Sequence, residues 1–220
     1  MKKYDFIKRE LPLWVLILAP LVYMGVVWEK LPSQLPMHWN VYGNIDGYGP
    51  VWGPPLITIV LYLLMLMVPY VDPKKANYQK FAKPYYIMRL ALQSFFSIIL
   101  FITVLAGLQV AIRIEKVIVP LLFVMFMIFG NYMSTLRFNW FVGIKTPWTL
   151  SDEDIWRKTH VFAGRLWFWV SIVGLGLSFA LTQMALFVFF IVVITAISLI
   201  PIIYSYSLYR KKLRKTNNKE

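Results

Sequence analysis

Apolar residues fall into six long blocks that are separated by short polar stretches. Each block holds about 20 residues, the length at which an α-helix crosses the hydrocarbon core of a bilayer. The pattern therefore predicts an all-α, polytopic membrane protein with a six-helix transmembrane bundle. The predicted spans are Leu11 to Trp28, Trp52 to Val71, Tyr85 to Leu108, Val117 to Leu136, Val161 to Leu181 and Ala185 to Tyr206.

The overall composition is too apolar for a soluble protein of this size. Hydrophobic residues make up 59% of the 220 residues, more than one soluble core of this size would bury. The first block follows four basic residues, as a signal peptide does. It ends in Val26-Val27-Trp28-Glu29 without a small-x-small cleavage pattern, so we interpret it as a retained helix. The sequence has no cysteine, which rules out disulfides and thiolate metal sites.

Lysine and arginine alternate along the chain between rich and poor segments. The N-terminal tail, residues 72–84, residues 137–160 and the tail after Leu208 hold four, four, four and six of them. The intervening connections hold one, two and none. Because cytoplasmic loops of membrane proteins are enriched in these residues, the rich segments are predicted to be cytoplasmic, with both termini inside. The basic tail 208–220 is then expected to meet anionic lipid headgroups rather than nucleic acid.

Ionisable side chains avoid the centres of the six blocks. All ten acidic residues lie in tails, in loops or at block ends. Charges at mid-membrane are costly and mark ion pathways, so their absence favours a packed bundle over a proton-coupled conduit. Arg89, Arg137 and Arg165 fall at the cytoplasmic ends of blocks, and their side chains are expected to extend to phosphate headgroups.

Polar and small residues inside the blocks are expected to serve helix packing. Gln93 and Ser97 share one face of the third block by helical spacing, which favours hydrogen bonds between helices. Ser171, Gly174 and Ser178 form a stripe on the fifth block along which another helix can approach closely. The short turn at 182–184 makes the sixth helix the expected neighbour of the fifth.

The chain divides by these patterns into two membrane halves. Residues 1–84 form an N-terminal half with an ordered outer loop at 29–50. Residues 85–220 form a C-terminal half with a cytoplasmic loop at 137–160 and the basic tail.

The predicted outer loop, residues 29–50, carries the first set of candidate binding residues. Its prolines fix φ and its glycines permit tight turns, so it is predicted to be an ordered cap. One histidine without a second nitrogen or sulfur ligand is a poor set for zinc, so neither a metal nor a cofactor is predicted. The candidate ligand-binding residues are His38, Trp39, Asn40 and Asp46, of which His38, Asn40 and Asp46 are expected to converge with Glu29 at the membrane surface.

The predicted cytoplasmic loop, residues 137–160, contains the start of a helix. Ser151 followed by Asp154 resembles a capping box, and the acidic run 152–154 suits the positive end of a helix dipole. A helix is therefore predicted to start near Asp152, with Arg157 and Lys158 facing away from the bundle. Its opposite face is predicted to carry Trp156, Thr159, Ala163 and Trp167.

Two further expectations concern this helix. His160 is expected to be an interfacial hydrogen-bonding residue rather than a catalyst, because no Ser/Asp pair or second histidine accompanies it. Arg165 or Arg137 is expected to pair with the acidic run 152–154 and to clamp the loop against the bundle.

Two sequence runs resemble known motifs. Leu35-Pro-Met-His-Trp-Asn40, followed by Gly43, Asp46 and Gly47, resembles the first-loop motif of a small prokaryotic membrane domain of unassigned activity. Gly143-Ile-Lys-Thr-Pro-Trp-Thr-Leu150, followed by Trp156, Thr159, His160 and Gly164, resembles the signature of the SdpI family. The two motifs lie in the order that this family uses, one in each half of the chain.

The resemblance implies a function that composition does not show. Studied members of the family protect a prokaryotic cell against a secreted, membrane-active toxin peptide. Similar proteins also signal by recruiting a soluble transcriptional repressor to the cell membrane. Toxin contact would then involve the 29–50 loop. Partner docking would involve the second motif, with the candidates Thr146, Pro147, Trp148, Thr149, Trp156, His160 and Arg165.

Two other classes of function stay open at this point. A membrane-embedded enzyme would use His38 with Asp46, or His160. No nucleophile, base and orienting residue come together in the sequence, so the chain is predicted not to be an enzyme. The third class is a transporter of small solutes or lipids.

Overall fold

The computed structural model describes residues 3–217, most of which are helical. Two short parts of the predicted segments lie outside the described residues. They are residues 1–2 of the N-terminal half and residues 218–220 of the basic tail. Two 3-10 helices, Trp28–Lys30 and Lys75–Phe81, connect longer elements. These elements are α1 (Lys3–Val26), β1 (Gln34–Trp39), β2 (Ile45–Pro50), α2 (Gly53–Val71), α3 (Ala82–Gly107), α4 (Glu115–Met133), α5 (Pro147–Ser151), α6 (Glu153–Ala180) and α7 (Gln183–Asn217).

Within residues 3–217, six helices are long and apolar enough to cross a membrane, namely every α-helix except α5. The protein is therefore an all-α polytopic membrane protein, and the prediction from the six blocks is confirmed. Two boundaries lie outside the apolar blocks. α6 begins at Glu153, ahead of its block, because Asp152 caps it. α7 continues past Tyr206 to Asn217, with basic residues in its last turn, where cations suit the helix dipole.

The apolar surface of α1 is turned outward along one face. Leu13 and Ile17 on the opposite side are buried. A continuous apolar stripe of this kind is covered by lipid in a spanning helix. The residues of the stripe, which follow one another at helical spacing and are each more than half exposed, are Leu11, Val15, Leu18 and Val22.

The helices form two compact units, and the first contains the residues up to Leu66 together with Arg89–Leu122. Its hydrophobic core contains Leu35 of the 29–50 loop, which is fully buried. A Cβ atom on Gly107 would lie 2.5 Å from the end of the Leu35 side chain, which would have to shift to make room for it. The loop is thereby fixed to its unit. Leu35 clusters with Met24, Leu100 and Val104. The division of the chain at residue 84 stays a prediction.

The second unit contains Met67–Met88 together with the residues from Phe123 onward. α4 and α6 are in backbone contact within it. A Cβ atom on Gly130 would lie 2.9 Å from the Gly164 carbonyl oxygen, and one on Gly164 would lie 2.7 Å from the Gly130 carbonyl oxygen. Glycine on both helices is what permits this approach.

α7 packs along α6, as the short turn between them predicted. Trp167 Nε1 donates a hydrogen bond to the Ile197 carbonyl oxygen at 2.9 Å. The small-residue stripe of α6 is buried, but at Gly174 its neighbour is the ring of Phe123 in α4 rather than α7. The stripe thus allows a close approach, and α4 is the helix that makes it at this position.

Candidate functional sites

His38 and Asp46 form a hydrogen-bonded pair on the exposed side of the β1–β2 hairpin. His38 Nδ1 lies 2.5 Å from Asp46 Oδ1, and the two side chains are 71% and 42% exposed. The register explains the pairing, because His38 lies opposite Gly47, the residue after Asp46. Exposed pairs of this kind add little stability, and both side chains remain accessible from outside the protein. No group of three His, Cys, Asp or Glu side chains placed to hold a metal occurs among residues 3–217.

Asn40 builds the turn of the hairpin. Its Oδ1 accepts hydrogen bonds from the N–H groups of Tyr42 at 2.9 Å and Asn44 at 3.1 Å. Gly43 adopts φ 73°, a left-handed conformation that favours glycine. The side-chain oxygen of Asn40 is therefore used inside the loop, and its contribution to the candidate site is to position Tyr42.

Trp39 lies half-buried at the base of the hairpin, where it lines a pocket against α2 and α3. The pocket is mainly apolar, with Thr58 and Thr103 in its wall. Beyond Trp39, the hairpin and the residues that follow it present large aromatic side chains to their surroundings. These are Tyr42, Tyr48 and Trp52, each at least 60% exposed.

Thr146 and Thr149 create the short helix α5 in the 137–160 loop. Thr146 Oγ1 accepts from the Thr149 N–H at 3.2 Å, and Thr149 Oγ1 accepts from the Thr146 N–H at 2.8 Å. Pro147 suits the first turn because its missing N–H would have no helical partner. Thr146 and Thr149 therefore form a capping box at the start of α5. The capping box predicted at Ser151 and Asp154 for the following helix is wrong, because that helix is capped by Asp152.

Trp148 connects α5 to α7 through a hydrogen bond and two ring contacts. Its Nε1 donates a hydrogen bond to Ser205 Oγ, and its ring lies 5.2 Å from the Tyr206 ring and 6.4 Å from the Tyr209 ring, centroid to centroid. Pro147, on the same short helix, is exposed. Among the motif residues of α5, Pro147 is therefore the side chain that a partner can reach directly.

Trp156, His160 and Gly143 pack closely against one another. The His160 ring stacks on the Trp156 ring at 4.0 Å, and His160 Nδ1 lies 2.7 Å from the Trp156 carbonyl oxygen. His160 Nε2 accepts from the Ile144 N–H at 3.0 Å. Both ring nitrogens are thus engaged, which is the geometry of a neutral imidazole that donates from Nδ1. Gly143 sits against Nε2 with φ 127°, where a Cβ atom would collide with it. His160 is a fully buried hydrogen-bonding residue.

Asp152 caps α6 and ties it to α7. Its carboxylate accepts from the N–H groups of Asp154 at 2.9 Å and Ile155 at 3.0 Å, so the predicted helix start is confirmed. The same carboxylate bonds to Lys212 Nζ. Although partial burial raises the pKa of Asp152, the hydrogen bonds from Lys212 and from the two N–H groups outweigh it and hold that pKa below its usual range.

The predicted arginine clamp on this acidic run is wrong. Asp154 pairs with its own helix neighbours, Arg157 Nη2 at 2.8 Å and Lys158 Nζ at 2.5 Å. The acidic run is instead linked to α7 by the ion pair between Asp152 and Lys212. Arg165 is exposed and lines a pocket between α6 and α7 instead.

Asp72 and Asn139 hold two connecting segments together, and no motif in the sequence points to either residue. Asp72 is 1% exposed and accepts from Tyr78 Oη at 2.9 Å and from the Trp140 N–H at 2.9 Å. Asn139 is fully buried and accepts from the Val142 N–H at 2.7 Å. These bonds fix residues 137–142, from which the 137–160 loop starts.

Glu10 and Arg89 form a buried ion pair that the sequence reasoning also missed. Arg89 is 6% exposed, so the predicted extension of its side chain to phosphate headgroups is wrong. Its guanidinium faces Glu10, which is 2% exposed, and the Tyr62 hydroxyl donates to the same carboxylate at 3.2 Å. Trp14 Nε1 in turn donates to Tyr62 Oη at 2.8 Å. The first unit therefore carries a buried polar network between α1, α2 and α3.

Comparison with known proteins finds two family models that match parts of the chain, and each match includes one of the two loops. The model of the SdpI/YfhL protein family matches residues 135–205, and that of a domain of unknown function, DUF1648, matches residues 15–66. Over these residues the chain is similar to the SdpI/YfhL family and to that domain. Immunity protein SdpI of Bacillus subtilis (strain 168) is 23% identical to it over 197 residues, which are 84% of this chain and 88% of that protein. No solved structure matches the chain.

The two matched ranges contain both sets of candidate residues. Residues 15–66 include the hairpin, and residues 135–205 include α5, α6 and the Ser205 partner of Trp148. Glu10, Asp72 and Arg89 lie outside both ranges. No motif points to them, and only their burial and their mutual contacts reveal them.

Proposed function

We propose that the chain is a membrane immunity protein, which protects the cell that carries it against a secreted, membrane-active toxin peptide. The observation that carries this proposal is its likeness to Immunity protein SdpI of Bacillus subtilis, which extends through most of both chains. The role is non-catalytic in this proposal, in keeping with a His160 ring whose two nitrogens are both used in packing the protein.

The hairpin of the 29–50 loop supplies a surface suited to contact with such a peptide. It is anchored by the buried Leu35, and Asn40 fixes the turn that carries Tyr42. Aromatic side chains on a rigid support are favourable anchors because little conformational entropy is lost when they are buried. Tyr42 and Tyr48 would supply apolar contact, and the His38–Asp46 pair would supply polar contact.

Expression of the chain in a toxin-sensitive cell tests the function directly. The wild-type chain should restore growth in the presence of toxin, and the double variant Tyr42→Ala/Tyr48→Ala should lose most of that protection at equal protein level. Trp169→Ala is the matched control, since Trp169 is 65% exposed but belongs to α6 and not to the hairpin. A chain that gives no protection at all contradicts the function. A double variant that protects fully contradicts only the binding surface.

We further propose that the hairpin lies outside the cell membrane and that both termini and the 137–160 loop lie in the cytoplasm. The sorting of Lys and Arg supports this orientation. Because the chain has no cysteine, single variants Asn44→Cys and Lys145→Cys can be labelled in intact cells with an impermeant maleimide. Labelling of Asn44→Cys alone is expected. Equal labelling of both variants would contradict the orientation.

For signalling, we propose that a soluble repressor docks on the exposed part of the 137–160 loop. The available side chains include Lys145 and Pro147, whereas Thr146, Thr149 and Trp156 are buried and would serve to hold the loop in shape. Lys145→Glu should release a fluorescently tagged repressor from the membrane and leave protection intact. Unchanged recruitment in Lys145→Glu and in Pro147→Ala would contradict docking at this surface.

A further inference from the structure

We propose that the second unit binds the phosphate group of an anionic phospholipid in a pocket between α6 and α7. The pocket is open to its surroundings and has a volume of about 200 Å³, which is room for a phosphate group and the atoms next to it rather than for a whole lipid. Its charged wall belongs to α6 and its aromatic wall is shared by the two helices. The lining residues are Arg157, Lys158, Val161, Phe162, Arg165 and Tyr204.

The pocket has an excess of positive charge that the protein does not neutralise. Arg157 and Lys158 share a single carboxylate, that of Asp154, at 2.8 Å and 2.5 Å. Arg165 has no hydrogen bond or ion pair with any residue that the structure describes. Three cations therefore face one carboxylate. A guanidinium group matches the planar, two-point geometry of phosphate oxygens, so an anion of this type suits the unpaired Arg165.

The depth of the pocket points to a lipid as the source of the phosphate. At a rise of about 1.5 Å per residue, Arg165 lies roughly 22 Å along α6 from its other end at Ala180. The hydrocarbon core is about 30 Å thick, so the Arg165 backbone lies inside it and its guanidinium must reach outward to the headgroup level. By the same rise, Tyr204 lies roughly 32 Å from the start of α7 at Gln183, at that level. The pocket therefore opens where lipid phosphates lie.

The apolar part of the pocket fits the part of a lipid next to its phosphate. The rings of Phe162 and Tyr204 stack at 4.4 Å between centroids with an angle of 27° between their planes. Together with Val161 they form a surface for the glycerol and the first acyl carbons, while the cations face the phosphate. A single lipid molecule thus satisfies both the charge and the apolar wall.

Thermal unfolding of the full-length protein in a neutral detergent tests the proposal. Dioleoylphosphatidylglycerol should raise the midpoint temperature by mass action, whereas dioleoylphosphatidylcholine and inorganic phosphate should not. In Arg165→Gln, the phosphatidylglycerol concentration needed for half of the shift should rise about tenfold, the equivalent of one charge-assisted contact. Lys211→Gln is the matched control, because it removes an exposed cation of α7 that does not line the pocket. It should respond to phosphatidylglycerol as the wild type does.

Each other result overturns the proposal in a distinct way. An equal shift with inorganic phosphate would indicate a free-anion site, and an equal shift with a polyglutamate peptide would indicate a site for an acidic protein segment. Equal losses in Arg165→Gln and Lys211→Gln would indicate attraction by net charge alone. If Arg165→Gln does not fold, Arg165→Lys and native mass spectrometry of the wild type replace it. Failure of the wild type to retain phosphatidylglycerol over phosphatidylcholine would then exclude the site.

Discussion

Arg89 of α3 donates two hydrogen bonds to the Glu10 carboxylate of α1, from Nη1 at 2.9 Å and from Nη2 at 2.7 Å, across 79 residues of sequence. Both side chains are more than nine-tenths buried. A buried charge is tolerated only when it is paired, so this contact commits α1 and α3 of the first unit to one relative placement.

Removal of one partner of this pair should destabilise the protein strongly. Arg89→Gln leaves the Glu10 carboxylate buried without a counter-charge, and the expected loss is about 3 to 5 kcal/mol of unfolding free energy. Glu10→Gln/Arg89→Gln should recover part of that loss, which denaturant unfolding in detergent can measure as a double-mutant cycle. Arg113→Gln is the control, since its pair with Glu115 is exposed on the arginine side and should cost little. Equal stability of Arg89→Gln and Arg113→Gln would contradict the role of the pair.

The contact between α4 and α6 should be sensitive to a single methyl group. Gly164→Ala places a Cβ atom 2.7 Å from the Gly130 carbonyl oxygen, so the helices must separate, at a cost of about 1 to 3 kcal/mol. Gly176→Ala, on the same helix, meets nothing within 4 Å and should gain up to about 1 kcal/mol from helix propensity. Thermal midpoints in one detergent compare the two variants. If the thermal midpoints of both variants shift in the same direction, the close contact with Gly130 is not the reason why position 164 requires glycine.

Gly143 should be required for the shape of the 137–160 loop. Alanine there adopts φ 127° only under strain and collides with His160 Nε2, so the Ile144 N–H loses its acceptor. Together these two effects should lower the free energy of unfolding by about 2 to 4 kcal/mol. Limited proteolysis should show faster cleavage in this loop in Gly143→Ala. Gly25→Ala, which meets no atom within 4 Å, should leave the cleavage pattern unchanged. If Gly143→Ala resists proteolysis as the wild type does, the close packing of Gly143 against His160 is not what holds the loop in shape.

The Asp152–Lys212 pair should make stability depend on pH in the acid range. The pKa of Asp152 is lowered in the folded protein, so its stabilisation is fully present above the ordinary aspartate pKa. It is lost as the pH falls through the lowered, folded-state pKa. Asp152→Asn keeps a good helix cap but removes the charge. The difference in thermal midpoint between wild type and Asp152→Asn should therefore shrink below about pH 4. A difference that does not change with pH would exclude the charge as its cause.

Some features of the protein depend on local sequence, and these were predictable. The six spans follow from apolar blocks, and the start of α6 follows from the acidic run at 152–154. The identity of the capping partners was less accessible. Thr146 and Thr149 have the spacing of a capping box, but its third position is usually Glu or Gln, so the sequence carries only a weak signal for this one.

The sequence by itself determined which segments enter the membrane, because each block of about 20 residues gains its transfer free energy from lipid independently of the other blocks. Only the tertiary structure decided what the polar groups pair with. Glu10 meets Arg89, Asp72 meets the Trp140 N–H, and Asp152 meets Lys212. Each of these contacts depends on which face one segment turns toward another, a relation that the composition of neither segment contains.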